Sequence, residues 1–383
     1  MWVFLLKENI NLVSIKVEEQ LNLNNTKFDY LIVGAGFAGS VSAERLASKG
    51  NKVLLVEKRP HIGGNAYDEF DEHGILIHCY GPHIFHTNSK RVFDYLSQFT
   101  EWRFYEHRVL AQLKGELYPV PINRTTINKL YGKNLRTDEE VQRFFNSVRK
   151  NINPVTNSEE KIVSQVGEDL FEKFFKHYTK KQWGMEAKQL SSSVLGRVPV
   201  RTNTDDRYFT DKYQFMPKEG YTKMFERILN HKNIEIILNT DYKTIVNDIK
   251  FDKMIYTGPI DYFFDYKFGK LPYRSIRFEY RYFKKEYFQP TAQVNYVESN
   301  VKYTRAIEHK RLSGNNTEGT TVSLEYANSE GDPFYPIPNE KNHSLYEKYK
   351  IESQKLKSVE FIGRLAEYKY YNMDQVVGKT LLL

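Results

Sequence analysis

A glycine-rich turn between two short apolar runs, within residues 29–65, constrains the fold of this chain more than any other feature. Residues 30–33 are apolar and partly β-branched, which predicts a buried strand. Three glycines follow it in the pattern G-x-G-x-x-G: Gly34, Gly36 and Gly39. Residues 40–48 are predicted to form a helix and residues 52–56 a second strand, with Glu57 at its end. This order is typical of a Rossmann-like unit that binds an adenine dinucleotide, and a glycine turn in an unrelated α/β protein is the alternative.

The glycines and the acid have separate roles in such a unit. Gly34 permits the tight turn, Gly36 leaves room for the pyrophosphate, and Gly39 lets the helix pack closely on the strand. Glu57 would accept hydrogen bonds from the adenosine ribose hydroxyls, and its charge argues against a 2′-phosphate. This pattern does not separate FAD from NAD. A second glycine turn at residues 63–64 favours FAD, because such turns pass close to the flavin phosphates in many FAD-binding proteins.

The composition limits the class of partner. The chain has 383 residues, enough for one large domain or two to three smaller ones, and its net charge is +8. Because the basic residues alternate with acids, a small anionic substrate is a better partner than nucleic acid. The single cysteine, Cys79, excludes an internal disulfide and fits a reducing cytoplasm. No stretch is long enough to span a membrane, so we expect a soluble, cytoplasmic protein.

Two histidines follow a turn in the sequence GPHIFHT. If this loop returns to the dinucleotide, His83 and His86 can contact a flavin ring; otherwise they are ordinary turn residues. A metal site would need a further ligand nearby, so we expect no metal.

Residues 125–196 have a helical pattern with polar faces, which predicts an inserted helical domain. Thr137 has a glutamate three residues later, the spacing of a capping box. Aromatic side chains within residues 171–178 share one helix face. They form either a core between helices or the wall of a ligand pocket, and the polar groups of Tyr178 and Trp183 favour the pocket.

Three arginines lie in the proline-interrupted stretch that follows: Arg197, Arg201 and Arg207. Arginines on loops suit bidentate phosphate binding, although each of the three could also be a solvated surface charge.

The whole pattern predicts an α/β fold with a Rossmann-like FAD-binding domain, an inserted helical domain and an antiparallel β-sheet domain. Alternating aromatic residues over 273–330 predict the sheet, and a strand near residue 360 followed by a helix predicts a return to the first domain. Residues 1–26 are predicted to be an N-terminal extension without a catalytic role, and a discontinuous FAD-binding domain is predicted to consist of residues 27–100, 212–260 and 355–383. A mainly helical substrate domain with a mobile loop is predicted over 101–211, and the sheet domain over 261–354.

Several long motifs resemble those of one enzyme family. They are IVGAGFAG, VEKRPHIGGNAYDE, GPHIFHTN, YTKKQWG, GRVPVR with DDRYFTDKYQ, YTGPIDYFFDYKFGKLPYRSI, YTRAIEHK, DPFYPIPN and FIGRLAEYKYYNMDQV. From about Asp29 to the C-terminus the chain resembles bacterial UDP-galactopyranose mutases. The resemblance implies noncovalent FAD, a cytoplasmic homodimer, and interconversion of UDP-galactopyranose with UDP-galactofuranose, which feeds cell-surface polysaccharides. It also implies that N5 of reduced FAD acts as a nucleophile on the anomeric carbon.

The resemblance also implies roles for individual residues. Arg197 and Arg305 match arginines that hold the diphosphate of the leaving UDP, and His86 matches a histidine beside the flavin, so these three are the candidate catalytic residues. The other cofactor-binding matches are Gly34, Gly36, Phe37, Gly39, Glu57, Lys58, Gly64, Asn65, His83, Ile84, Arg364, Asn372 and Met373. The other substrate-binding matches are His107, Phe174, Phe175, Tyr178, Thr179, Trp183, Tyr208, Arg274, Tyr335 and Tyr370.

The chain departs from the family pattern at a few positions. Asn372 stands where members carry Asp, His107 where an Asn often contacts substrate, and Glu219 in place of the first glycine of a Gly-Gly pair. The chain also stops soon after Met373. Two other interpretations remain: an FAD-dependent oxidase or dehydrogenase of the amine-oxidase type, and an inactive nucleotide-sugar-binding protein.

Overall fold

The computed structural model describes residues 26–383, and its central element is a parallel sheet of five strands. In spatial order the strands are β10 (Ile234–Ile237), β2 (Val53–Val56), β1 (Lys27–Val33), β11 (Lys250–Tyr256) and β17 (Val359–Phe361). Every pairing in this sheet is parallel. Apart from Thr26, the predicted N-terminal extension lies outside the described residues.

The parallel sheet is buried on both faces, because neighbouring side chains of a strand point in opposite directions. Ile32 and Leu55 belong to the core cluster on one face, whereas Leu31 and Leu54 belong to a separate cluster on the other. The helices that contribute to the first cluster include α1 (Phe37–Ser48), α9 (Tyr221–Leu229) and α14 (Met373–Thr380). Since α14 packs on α1, the end of the chain returns to the first unit, as the sequence predicts.

A second sheet has seven strands. In spatial order they are β16 (Tyr335–Pro336), β12 (Tyr273–Phe283), β15 (Thr320–Asn328), β14 (Arg305–Glu308), β13 (Gln293–Tyr296), β7 (Val109–Leu113) and β8 (Glu116–Val120). All neighbours are antiparallel except β13 and β7, which run parallel. The sheet therefore extends beyond the predicted sheet domain, residues 261–354. Its β7–β8 hairpin comes from the range predicted to be mainly helical, because the alternately buried side chains of β7 suit a sheet.

The helical region lies between β8 and β9 (Tyr213–Pro217). Its α-helices are α3 (Arg124–Tyr131), α4 (Asp138–Val148), α5 (Ser158–Val166), α6 (Glu168–Leu170), α7 (His177–Trp183) and α8 (Ser192–Leu195). The predicted capping box begins α4: Thr137 Oγ1 accepts from Glu140 N at 3.3 Å, and Glu140 Oε2 accepts from Thr137 N at 3.1 Å. A π-helical segment, Phe171–Lys176, joins α6 to α7. Such segments are frequent near functional sites.

Smaller elements complete the fold. β3 (Asp68–Phe70) pairs with β4 (Leu76–His78), and β9 lies between β5 (Phe85–Thr87) and β6 (Trp102–Phe104). The remaining α-helices are α2 (Lys90–Leu96), α10 (Tyr242–Ile245), α11 (Ile260–Phe263), α12 (His309–Ser313) and α13 (Glu340–Ser353), and short 3₁₀ turns occupy Gly64–Ala66, Ala187–Gln189 and Val246–Asp248. Within residues 26–383, none of the helices is long and apolar enough to cross a membrane.

Candidate active site

A cavity of about 1080 Å³ lies at the carboxyl ends of β1, β2 and β11. Ligands of open α/β sheets bind at this edge. Most of the residues predicted to bind the cofactor line it: Gly34, Gly36, Phe37, Glu57, Lys58, Asn65, His83, Arg364, Asn372 and Met373. Four predicted residues are not among its lining: Gly39, Gly64, Ile84 and His86.

The glycine turn leaves open space at one position. A Cβ at Gly34, where φ is +101°, would stand 2.1 Å from Thr257 Oγ1, and a Cβ at Gly39 would stand 1.8 Å from the Gly34 carbonyl oxygen. A Cβ at Gly36 would meet only the Gly64 Cα, at 3.8 Å. Gly36 is also the N-cap of α1 and offers no side-chain cap, so the first N–H groups of this helix remain available to an anion. The residues present therefore fit a dinucleotide pyrophosphate.

Glu57 is oriented by two backbone donors. Its Oε2 accepts from Ala35 N at 2.7 Å and its Oε1 from Arg59 N at 2.9 Å, and the residue is 8% exposed. An ionised carboxylate has about four lone-pair sites, so both oxygens can still accept from ribose hydroxyls. The arrangement fits the ribose contact that the sequence predicts.

His83 and His86 have different surroundings. Burial lowers the pKa of His83 to about 3, and its Nδ1 lies 2.9 Å from the Gly81 carbonyl oxygen, so it lines the cavity as a neutral ring. His86 Nδ1 donates to Asp211 Oδ2 at 2.8 Å, and its ring stacks on Phe209 at a centroid distance of 3.6 Å. In the described part of the chain, no three His, Cys, Asp or Glu side chains are placed to hold a metal ion.

Arg305 forms a buried ion pair across two strands. It lies opposite Glu325 in the β14–β15 register, and its Nε donates to Glu325 Oε2 at 2.5 Å. The side chains of Arg305 and Glu325 are 15% and 0% exposed. Burial alone would lower the pKa of Arg305, but Glu325 and nearby tyrosines leave it well above its usual value. Arg305 is therefore a permanent cation in a fixed place.

Arg197 joins an aromatic cluster. Tyr335 and Tyr370 stack at 5.2 Å between centroids and are called the tyrosine pair below. The Arg197 guanidinium lies 3.9 Å from the centroid of Tyr370, and its Nη2 donates to Asn372 Oδ1 at 2.9 Å. Arg364 lies 5.2 Å from the same Tyr370 ring. The cluster therefore lies next to the cofactor cavity, which Asn372 and Arg364 also line.

The Tyr208 hydroxyl lies within electrostatic range of both arginines. Burial raises the pKa of its hydroxyl, and the charges of Arg197 and Arg305 both oppose that shift. Two cations that are far apart in sequence therefore act on a single hydroxyl. Arginines beside tyrosine hydroxyls are well suited to bind the oxygens of a diphosphate.

The predicted substrate residues around α7 fall into two groups. Phe174, Phe175 and Thr179 are 4%, 6% and 0% exposed, and both phenylalanines belong to the core of the helical region. Tyr178 and Trp183 lie near the site. The charge of Arg305 acts on the Tyr178 hydroxyl, whose pKa is raised by burial, and the Trp183 ring lies 6.4 Å from each ring of the tyrosine pair. Arg274 contacts the backbone of α7: its Nε donates to the Gln182 carbonyl at 3.0 Å.

His107 is held as a neutral ring behind Tyr208. It is 2% exposed, and burial lowers its pKa to about 4. Its Nδ1 lies 3.0 Å from the Tyr105 hydroxyl and its Nε2 lies 3.3 Å from Gln293 Oε1. Since an amide oxygen only accepts, Nε2 carries the proton and Nδ1 accepts from Tyr105. The Tyr208 backbone N donates to the His107 carbonyl at 2.7 Å, which ties the two residues together.

Comparisons with known proteins agree with this geometry. The family model described as UDP-galactopyranose mutase matches residues 173–370, and one described as an NAD(P)-binding Rossmann-like domain matches residues 32–99. A Klebsiella pneumoniae protein named "Probable UDP-galactopyranose mutase" is 40% identical over 92% of this chain and 92% of its own. The Escherichia coli dTDP-fucopyranose mutase is 38% identical over 92% of this chain and 96% of its own.

The chain belongs to the UDP-galactopyranose mutase family. The crystal structure of a reduced UDP-galactopyranose mutase has the same fold, with a TM-score of 0.74 and 18% identity over 92% of this chain and 94% of that one. The predicted fold class, with its Rossmann-like domain, helices and antiparallel sheet, is confirmed.

In this family member, sequence reasoning missed two carboxylates beside the predicted residues. Glu325 pairs with Arg305, and Asp211 orients His86. A signal existed for Glu325, because an acid inside a run of strand residues that are otherwise apolar or small needs a partner. Asp211 lies in a polar loop and has no such signal.

Proposed function

We propose that this protein is an FAD-dependent isomerase that interconverts UDP-galactopyranose and UDP-galactofuranose. The observation that carries the proposal is the convergence of Arg197 and Arg305 on Tyr208 and the tyrosine pair, beside a cavity that fits a dinucleotide. An oxidase has no need for two fixed cations at this place. A nucleotide-sugar isomerase needs them to hold the diphosphate while its bond to the sugar is broken.

Reduced FAD, when bound, supplies a nucleophilic N5 for the anomeric carbon of the sugar. Arg197 and Arg305 hold the diphosphate of the leaving UDP and keep it in place for its return. The hydroxyls of Tyr208 and of the tyrosine pair donate to the same oxygens. Asp211 orients the His86 ring, which the family resemblance would place on the flavin side of the site.

The cofactor residues have distinct tasks in this proposal. Gly36 and the N-terminus of α1 would hold the FAD pyrophosphate, and Glu57 would accept hydrogen bonds from the adenosine ribose. Asn372 and Met373 begin α14, whose positive end favours negative charge on the flavin. His83, which burial keeps neutral, lines the cavity that would hold the flavin and adds no positive charge there.

A second substrate pair must be considered because the E. coli relative is named for dTDP-fucopyranose. The purified protein, loaded with FAD, is incubated with UDP-galactofuranose or with dTDP-fucofuranose, each with and without dithionite, and the sugars are separated by chromatography. We expect UDP-galactopyranose from UDP-galactofuranose only when the flavin is reduced. Turnover that is equal in oxidised enzyme, or absent in reduced enzyme, would refute the mutase proposal. Faster conversion of dTDP-fucofuranose would assign dTDP-fucopyranose and dTDP-fucofuranose as the substrates instead.

We also propose a homodimer that works in the cytoplasm. The family resemblance supports the dimer, and the free Cys79 is consistent with a reducing compartment. Light scattering on a size-exclusion column tests the dimer, and a mass equal to one chain would exclude it.

A further inference from the structure

Lys181 has an uncommon environment for a lysine in a short surface helix. It lies in α7 between Tyr178 and Trp183, but its side chain leaves the helix and enters the connection between β13 and β14. Its Nζ donates to four backbone carbonyl oxygens, those of Tyr296 at 2.6 Å, Glu298 at 2.9 Å, Val301 at 2.9 Å and Tyr303 at 3.1 Å. These four carbonyls are called the carbonyl cage below.

The carbonyl cage uses the full donor capacity of the ammonium. A lysine has three N–H groups, so four acceptors occupy all of them and share one. Among residues 26–383, no carboxylate forms an ion pair with Lys181 Nζ within 4 Å, so the four carbonyl oxygens are its hydrogen-bond partners, while the more distant charge of Glu298 also favours the charged ammonium. Burial lowers the pKa of Lys181 to about 8, the effect expected of a partly buried ammonium. Desolvating an ammonium in this way costs free energy that a surface lysine does not lose.

Arg274 holds the same turn of α7 from a different strand. Its Nε donates to the Gln182 carbonyl at 3.0 Å and its Nη2 to the Lys181 carbonyl at 3.4 Å. Arg274 lies in β12 opposite Tyr335 of β16. One turn of α7 is therefore fastened to the seven-stranded sheet at two points, by the Lys181 ammonium and by its own carbonyl groups.

This double attachment sets where Trp183 lies. The indole follows the fastened turn directly, and its ring lies 6.4 Å from each ring of the tyrosine pair. Gly184 ends the helix immediately afterwards, with a φ of +67°. A rotation of the short helix would therefore move Trp183 and Tyr178 together, away from the arginines.

We infer that Lys181 is a positioning residue: the carbonyl cage fixes α7 so that Tyr178 and Trp183 face the nucleotide-sugar site. This inference rests on the proposed function for the identity of that site. Lys181 acts through these neighbours and contributes to substrate affinity, whereas the chemical step depends on the flavin and the arginines. Releasing the ammonium should therefore change KM and the affinity for UDP more than it changes kcat.

The test compares Lys181→Met with Lys180→Met in the FAD-bound enzyme. Methionine keeps a long apolar stem but removes the ammonium, while Lys180 is an exposed neighbour whose Nζ pairs with Glu186 at 2.7 Å. For Lys181→Met we expect KM for UDP-galactofuranose and the Kd for UDP, measured by calorimetry, to rise by about tenfold. We expect kcat to change by less than about threefold, and the flavin spectrum to stay the same. Lys180→Met should match the wild type.

Unchanged KM and Kd in Lys181→Met, or equal changes in Lys180→Met, would overturn the inference. If Lys181→Met lost FAD, Lys181→Gln would decide, because its amide retains two N–H donors for the carbonyl cage. An intermediate Kd for UDP is then expected, and a Kd equal to that of the wild type would contradict a positioning role. UDP affinity does not depend on turnover, so the inference is tested even if the protein does not convert UDP-galactofuranose.

Discussion

Glu325→Ala should lower both the stability and the activity of this protein. The Glu325 carboxylate is fully buried and is the ion-pair partner of Arg305 across the β14–β15 register. Its other oxygen, Oε1, has no hydrogen-bond partner within the described residues. Alanine would leave a buried guanidinium without its counter-charge, in a strand from which it cannot easily turn to water.

Removing one partner of a buried ion pair costs about 3–5 kcal/mol of unfolding free energy. The entropy of unfolding is about 2.1 cal/mol/K per residue, or about 0.8 kcal/mol/K for this chain of 383 residues. The melting temperature of Glu325→Ala should therefore fall by about 4–6 °C. If Arg305 also moves by about 1 Å, kcat/KM should fall by roughly 100-fold. Glu325→Gln retains an oxygen that can accept from Arg305 Nε, so both losses should be smaller.

Scanning calorimetry of the FAD-bound protein and steady-state assays with reduced flavin measure these effects. Glu279→Ala is the matched control, because Glu279 lies on the adjacent strand β12 and is paired with Arg281 at the surface. We expect its melting temperature and kcat/KM to equal those of the wild type. If Glu325→Ala kept both wild-type values, Arg305 would not depend on this pair and the reasoning would be wrong.

Three further predictions follow from particular contacts. Gly36→Val should fold but lose FAD, since a Cβ there enters the open space left for the pyrophosphate, whereas Gly39→Ala should fail to fold because its Cβ would stand 1.8 Å from a carbonyl oxygen. Circular dichroism reports folding and flavin absorbance reports bound FAD. FAD retention in Gly36→Val would contradict the pyrophosphate site. Asn372→Asp should turn the 2.9 Å hydrogen bond with Arg197 into an ion pair and change KM for substrate by severalfold. If KM and the flavin potential stay the same, the replacement of Asp by Asn at this position has no functional effect. In the folded protein the pKa of His107 is about 4, below its unfolded value, so the unfolded chain binds more protons and stability falls as the pH drops from about 6.5 to 4. His107→Gln should reduce the slope of unfolding free energy against pH by up to about 1.4 kcal/mol per pH unit. An unchanged slope, measured by urea unfolding, would refute the assignment.

The dinucleotide-binding unit could be predicted from the sequence because its determinants are local. The apolar runs, the three glycines and Glu57 lie within one short stretch, and each acts on its immediate neighbours. The capping box of α4 was predictable for the same reason. The extent of the second sheet was not, since β7 pairs with β13, a strand nearly 200 residues later in the chain.

The candidate site was predictable only in its list of residues. Family motifs named Arg197, Arg305 and the tyrosine pair, but nothing in the order of the residues shows that both arginines act on Tyr208. The motif containing Lys181 likewise gave no indication that its ammonium enters a cage of carbonyls.

The sequence by itself therefore determined the Rossmann-like unit, because glycine conformation and strand periodicity are properties of single residues and short segments, and it pointed to candidate substrate residues only through motifs shared with a family. Tertiary structure alone decided the Arg305–Glu325 pair, the Arg197–Asn372 contact and the attachment of α7 through Lys181. Each of these joins segments far apart in the chain, so it depends on strand register and loop packing, which are set only when the whole core is buried.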